Sequence, residues 1–322
     1  MKIFKDFNIK KAASWAGSLL MVVSLAFILR RILQTRGDVD FTVFSDPLIL
    51  TALLSVALLE GTGIVLASLN YRALVRNISG IRVKSPLAVV TYTVSNLYKY
   101  IPGGVMYVLG RNKMAIDTDK LSHGKVAFST FIEGALFAIA AGFIAVAFSF
   151  DHSVNYIREM DISFWVGLVA LAVVLTAAFF VYRFRIQLGV FFRNLKNDTR
   201  DLRWTVLIKR FIFAFVLISL WAFSFLATLM LLGQSVTFGM GITVMGLYML
   251  SWVAGFLTPG APSGLGVREV VMLMFMANTL NEGILISAMF MHRMLTVIGD
   301  VSAYGMALAY AQVRKRMKGR ES

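Results

Sequence analysis

The stretch Ser251-Trp-Val-Ala-Gly-Phe-Leu-Thr-Pro259-Gly260-Ala-Pro262-Ser-Gly264-Leu-Gly266-Val-Arg268-Glu269 decides how this chain is read. It interrupts an apolar run, Gly241–Leu280, that is otherwise fit for a membrane interior. Proline lacks the helix donor and clashes with the preceding turn, so Pro259 and Pro262 divide the run into two short helices. A second stretch behaves alike: Pro86–Arg111 is broken at Pro102-Gly103-Gly104. The chain has five prolines, and the remaining two, Pro47 and Pro86, open apolar runs, where proline is tolerated.

Around these breaks the composition is that of a polytopic membrane protein. Of 322 residues, 58% are hydrophobic and only 15% charged, below the quarter usual for a soluble domain. Mean hydropathy is +0.75. Disorder, a disulfide scaffold and an ordinary cytosolic enzyme are excluded. Four plain runs are long enough to cross about 30 Å of hydrocarbon: Ala12–Leu29, Pro47–Leu69, Ile162–Tyr182 and Phe211–Leu232. Two more carry charge: Lys125–Phe150 with Glu133, and Ile284–Gln312 with Arg293 and Asp300. The first run follows a basic segment like a signal peptide's. Arg30 and Arg31 come directly after it and no small-residue cleavage site is evident, so an uncleaved span is expected.

The net charge of +15 comes from 32 Lys and Arg against 17 Asp and Glu, and it falls in short loops. It therefore reports membrane orientation rather than nucleic-acid binding. If both broken stretches are re-entrant hairpins and the N-terminus is cytoplasmic, 25 Lys/Arg lie inside and 4 outside. Lys99, Arg268 and Arg293 remain at membrane depth. If both stretches crossed fully, the eight positives of 183–210 would move outside. The expected fold is an all-α polytopic membrane protein with six full spans, two re-entrant hairpins and both termini cytoplasmic, in the cytoplasmic (inner) membrane. Eight spans are the alternative. The 183–210 loop, with Phe191, Phe192, Leu195, Leu202 and Trp204 among basic residues, reads as amphipathic and suited to anionic lipid. Trp15, Trp165 and Trp204 are expected at the interfaces.

The two breaks also resemble each other. In both, the Pro-Gly proline precedes an arginine by nine residues: Pro102 to Arg111, and Pro259 to Arg268. Each broken stretch is flanked by one span on either side, giving repeat units of about 47–150 and 211–312 within a single membrane domain. One odd span separates them, which inverts the second unit. First arms of roughly 15 residues, about 22 Å as helix, would bring the two tips together near mid-bilayer. Inverted repeats with broken helices meeting at the midplane characterise transporters.

Charges at membrane depth cost about 2.5–3.5 kcal/mol each on insertion scales and so call for a reason. The candidates for substrate binding are Arg111, Arg268, Glu269, Arg293, Glu60, Glu133, Asp300 and Lys99. Four are basic and four acidic, so complete pairing is possible. Arginine suits phosphate because its planar fork donates two hydrogen bonds at once. Arg111 and Arg268 are therefore the expected pseudo-symmetric headgroup clamps. Pro102, Gly103, Gly104, Pro259, Gly260, Pro262, Gly264 and Gly266 form the breaks, whose backbone N–H groups could add donors. Structural pairing is the competing role for each charge. Glu60, among the small residues of Leu59-Glu60-Gly61-Thr62-Gly63, is a proton site or a partner of Arg111, and Glu133 is similar. Lys99 could instead snorkel along the hairpin. His292 reads as a helix-packing residue, and the Met-rich runs from Met272 to Met294 as soft packing.

No cysteine is present, and the three histidines share no spacing, so no metal and no cofactor is expected. No phosphate loop, nucleophile elbow or HExxH motif occurs, and no catalytic residue is assigned.

The segments Asn96-Leu-Tyr-Lys-Tyr-Ile-Pro102-Gly103-Gly104 through Arg111, and Pro259-Gly260-Ala-Pro-Ser-Gly264-Leu-Gly266-Val-Arg268-Glu269, resemble the lysylphosphatidylglycerol synthase transmembrane-region family, also called the flippase-like domain family. The second motif, close to P-x-x-P-x-G-x-G-x-R-E, is the more specific, and the resemblance runs from the first span to the last. It implies a lipid translocator. The chain ends ten residues after its last expected span, so a stand-alone member without the soluble aminoacyltransferase domain is expected. The implied substrate is a phosphate-bearing lipid: an aminoacylated or anionic phospholipid, or a polyprenyl-phosphate-linked sugar. Two alternatives stay open. One is a membrane-embedded lipid transferase using Glu60 or Glu133 as general base. The other is a non-catalytic partner of a separate glycosyl- or aminoacyltransferase.

Overall fold

A computed structural model describes residues 45–100, 106–118, 121–159, 204–258 and 262–318. All regular structure among them is helical. In order come α1 (Pro47–Ser79), α2 (Ser85–Leu97), a 3-10 turn (Tyr98–Tyr100), α3 (Met106–Arg111), α4 (Lys113–Ile116) and α5 (His123–Glu159). Then follow α6 (Trp204–Leu231), α7 (Phe238–Leu257), a second 3-10 turn (Pro262–Gly264), α8 (Val267–Met276) and α9 (Glu282–Lys318). Five of them, α1, α5, α6, α7 and α9, are long and apolar enough to cross a membrane. The chain is an all-α multi-pass membrane protein. The expected spans Ala12–Leu29 and Ile162–Tyr182 lie outside the described residues, as do most of the 183–210 loop and break residues Pro102, Gly103, Gly104, Pro259 and Gly260.

The long helices outrun the apolar windows because local signals set their ends. At the start of α1, the Asp46 carboxylate accepts from the Leu48 N–H at 2.8 Å and Pro47 occupies the first turn. At its end Gly80 takes φ 74° and donates to the Arg76 carbonyl at 2.9 Å, the left-handed stop that glycine adopts without strain. Along α6, Ile208, Ile212, Val216, Leu220 and Phe223 are all exposed. That spacing of three to four residues is a lipid-facing stripe.

The first arm of the second broken stretch, α7, is longer than expected: 20 residues, or about 30 Å of helix. The Thr237 hydroxyl accepts from the Met240 N–H at its start, and no proline intervenes before Pro259. In the first stretch α2 is only 13 residues, and the helix tightens at Tyr98, four residues ahead of Pro102. There α3 turns back onto α2 so closely that a Cβ on Gly110 would sit 2.7 Å from the Tyr98 ring. In the second, Gly264 holds φ 70°, and a Cβ there would meet the Gly255 Cα at 2.8 Å. These glycines let each short second arm fold back along its first arm.

Packing between the segments comes in matching sets. α1 packs on α2 and α5, while α6 packs on α7 and α9. α3 lies on α2 and touches α5; α8 lies on α7 and touches α9. Between the sets, α1 meets α9 as α6 meets α5, and α5 meets α7 as α9 meets α2. The two 3-10 turns touch each other. Gly61 lets α1 and α9 approach, since a Cβ there would come 2.7 Å from the Gly299 carbonyl oxygen. Of the methionines expected as packing, Met272, Met276 and Met289 are buried in the core, whereas Met274 and Met294 are exposed.

Candidate functional site

The tertiary fold sorts the membrane-depth charges into pairs. Asp300 of α9, buried to 1% exposure, is bound from the first break by Lys99 Nζ (2.8 Å), Asn96 Nδ2 (2.6 Å) and the Tyr100 hydroxyl. Lys99 therefore does not snorkel along its own segment; it ties the first 3-10 turn to α9. Arg293 of α9 pairs with Glu269 at 2.8 Å. The other Glu269 oxygen accepts the Gly266 N–H at 2.7 Å and so caps α8. Arg111 pairs with Glu133 of α5, and both are buried. Its guanidinium lies over the rings of Tyr92 (4.1 Å), Tyr71 (4.6 Å) and Tyr107 (5.5 Å). The Tyr92 hydroxyl donates to Glu133 at 3.1 Å. The partner of Arg111 is thus Glu133 and not Glu60.

Two charges remain over. Arg268 makes no ion pair or hydrogen bond with any described residue, and its Nε is buried without a partner. Its side chain passes the Gly255 and Gly264 backbones, close enough that a Cβ on Gly255 would meet its Cγ at 2.9 Å, and points past Trp252 at 5.8 Å. Adjacent Glu269 is already taken by Arg293. Glu60 is 5% exposed and accepts a hydrogen bond from the Ser224 hydroxyl. His292 Nε2 lies 3.9 Å from Glu60, beyond hydrogen-bond reach.

Arg268 opens onto a small cavity where the two 3-10 turns meet. Its polar wall is Tyr100 from the first turn, Ser263 from the second, and Ser251, Glu269, His292 and Arg293. Phe225 and Tyr248, stacked at 4.4 Å, line it together with Met272 and Met289. His292 stands edge-on to both rings, at 5.5 and 5.3 Å, and its Nδ1 is 3.4 Å from the Thr228 hydroxyl. Its volume is about 30 Å³, on the scale of bound water.

Of the expected clamps, only Arg268 lines this cavity. Arg111 sits in its own tyrosine cage, so the symmetry of the two breaks does not extend to their arginines. The reason is the helix that follows each break. Glu133 lies 22 residues after Arg111 and neutralises it; Arg293 lies 25 residues after Arg268, adds a second positive charge and engages Glu269. Tyr100, Ser251, Tyr248 and Thr296 line the cavity without having been expected there, and His292, which packs against two rings as expected, lines it too. One signal was available: His292, Thr296 and Asp300 recur every four residues on one face of α9. No family model matches the chain, and no curated protein sequence matches it.

Proposed function

We propose that this protein moves a phosphate-bearing lipid across the cytoplasmic membrane, and that Arg268 is the group that receives the headgroup. The observation that carries this reading is a guanidinium whose Nε is buried and which no acid among the described residues neutralises, facing a polar cavity between two broken helices. Intramembrane cations without partners are costly unless a substrate completes them. The fork of Arg268 fits two phosphate oxygens, and the hydroxyls of Ser251 and Ser263 lie around the same space. At about 30 Å³ the cavity admits water and no headgroup, so the lipid enters when the two 3-10 turns part. Lys99 and Tyr100 tie the first turn to Asp300 of α9, and that tie would have to break or move with the turn. The matching contacts of the two units support an inverted repeat that rocks about this point. The motif around Arg268 supports membership of the flippase-like family.

The transferase reading is disfavoured by placement. Glu133 is held by Arg111 and Tyr92, and neither it nor Glu60 lines the cavity. Mass spectrometry of lipids retained by the purified protein tests the proposal. One phosphate-bearing lipid should be enriched over bulk membrane lipid in the wild type and lost in Arg268→Ala. Equal, unenriched lipid in both preparations would argue instead for a partner of a separate enzyme.

The proposed orientation, with both termini cytoplasmic, has its own test. The native chain has no cysteine, so single cysteines can be placed at Ser122 and Asn155, at opposite ends of α5. They should label with an impermeant maleimide from opposite faces of the membrane, Ser122 from the cytoplasm. Labelling from one face would overturn the topology.

A further inference from the structure

Glu60 is the second charge left over at membrane depth, and the role given to Arg268 does not use it. A carboxylate in the hydrocarbon layer needs either a cation or a proton to neutralise it. No described cation touches Glu60; its contacts are the Ser224 hydroxyl and, at 3.9 Å, His292 Nε2. That nitrogen is itself buried and, among the described residues, without a hydrogen-bond partner, on a residue only 3% exposed. His292 lines the cavity, whereas Glu60 lies behind it. The imidazole is held in place by the Phe225 and Tyr248 rings and by Thr228 at its other nitrogen. It therefore stands between a buried acid and the space into which Arg268 points.

We infer that Glu60 and His292 form a proton site serving the Arg268 cavity, so that one proton is taken up together with the anion that Arg268 binds. The inference rests on the reading of Arg268 as an anion-binding group, and it supplies the coupling that reading lacks. The charge balance gives the mechanism. Around Glu60 stand His292 and Asp300 on α9, Arg268 on α8, Tyr248 on α7 and Lys99 on the first turn. Lys99 and Asp300 cancel, as do Arg293 and Glu269. On α5, Glu133 is cancelled by Arg111. α6 presents the hydroxyls of Ser224 and Thr228, its own cations being Lys209 and Arg210 at the far end, where Arg210 bonds Asn70 of α1. α2 carries no charged residue.

With Glu60 ionised, its negative charge offsets Arg268 and the cavity region is neutral overall. Once Glu60 holds a proton, the region carries one net positive charge and attracts an anion. Conversely, a bound anion makes the proton easier to hold, because linkage between two sites is reciprocal. The proton reaches Glu60 from cavity water through His292, needing the 3.9 Å gap to close by about 1 Å to hydrogen-bond length. The relay balances: a proton carried by cavity water forms an imidazole N–H, an imidazole N–H breaks as the Glu60 O–H forms, and the same steps run backwards on release.

Infrared spectroscopy tests this directly, since a protonated carboxylic acid has a carbonyl stretch that its carboxylate lacks. The full-length protein is titrated between pH 5 and 9 in phosphatidylcholine nanodiscs and again in phosphatidylglycerol nanodiscs. A carboxylic-acid band should appear as pH falls, be absent from Glu60→Gln, and titrate at higher pH in Ser224→Ala, which removes the hydrogen bond to the ionised form. In phosphatidylglycerol the midpoint should lie higher than in phosphatidylcholine, and Arg268→Ala should erase that difference. A Glu60 band that does not titrate across this range, or a titrating band that survives in Glu60→Gln, overturns the proton site. A band that titrates identically in both lipids keeps the proton site, overturns the coupling and removes the support for anion binding at Arg268. Ser224→Ala keeps the acid itself in place, so the test survives a Glu60→Gln protein that fails to fold.

Discussion

Arg111→Ala should cost the fold about 3–5 kcal/mol, the penalty for stranding one member of a buried ion pair. Glu133, 4% exposed, would be left with the Tyr92 hydroxyl as its one partner among the described residues. Tyr71, Tyr92 and Tyr107 would lose the guanidinium lying over them, and the short α3 would lose its tie to α5. The double variant Arg111→Met/Glu133→Leu should recover most of that loss, because an apolar pair of similar volume leaves no charge uncompensated. Chemical denaturation in micelles measures both. If the single variant falls within about 0.5 kcal/mol of wild type, the pair is not holding the hairpin and the substrate role first expected for Arg111 returns. The folded double variant should also still translocate lipid, which a headgroup clamp could not do after losing its charge.

Arg268→Ala should act in the opposite way, sparing the fold and removing the function. No acid is stranded, because among the described residues Arg268 has no ion-pair partner. A charge-assisted hydrogen bond contributes about 1.5–3 kcal/mol, so transport of a phosphatidylglycerol reporter in proteoliposomes should fall about 10- to 100-fold. Arg268→Lys keeps the charge and loses the planar fork, and should retain an intermediate rate, with roughly a tenfold loss. If Arg268→Ala transports at the wild-type rate, the anion contact lies elsewhere. If lysine and alanine are equally inactive, geometry rather than charge is what Arg268 supplies.

Hydropathy and proline placement made the membrane class legible before any coordinates. The runs 47–69, 125–150 and 284–312 lie within long helices, as does 211–232 but for its last residue, because about 20 apolar residues in lipid have no alternative that satisfies their backbone. Positions where helices break were nearly as legible, since Pro102 and Pro259 forbid continuation. The local start of α7 was not: Thr237 capping lengthens that arm beyond the apolar count, a side-chain event that hydropathy does not see. Gly61 and its neighbours signalled a close helix approach, and the α1–α9 crossing uses it.

The sequence by itself placed four acids and four bases within or at the ends of apolar stretches, and put two arginines after two similar breaks. Only the tertiary structure decided which of them would be neutralised. A salt bridge depends on which helix face comes within 4 Å, and that is set by long-range packing, not by spacing along the chain. Thus Arg111 meets Glu133 among three tyrosines, Asp300 gathers the tip of the opposite hairpin, and Glu269 turns from its neighbour Arg268 to Arg293. Among the described residues packing leaves Arg268 and Glu60 without a permanent opposite charge, and the proposed anion and proton sites are built on these two.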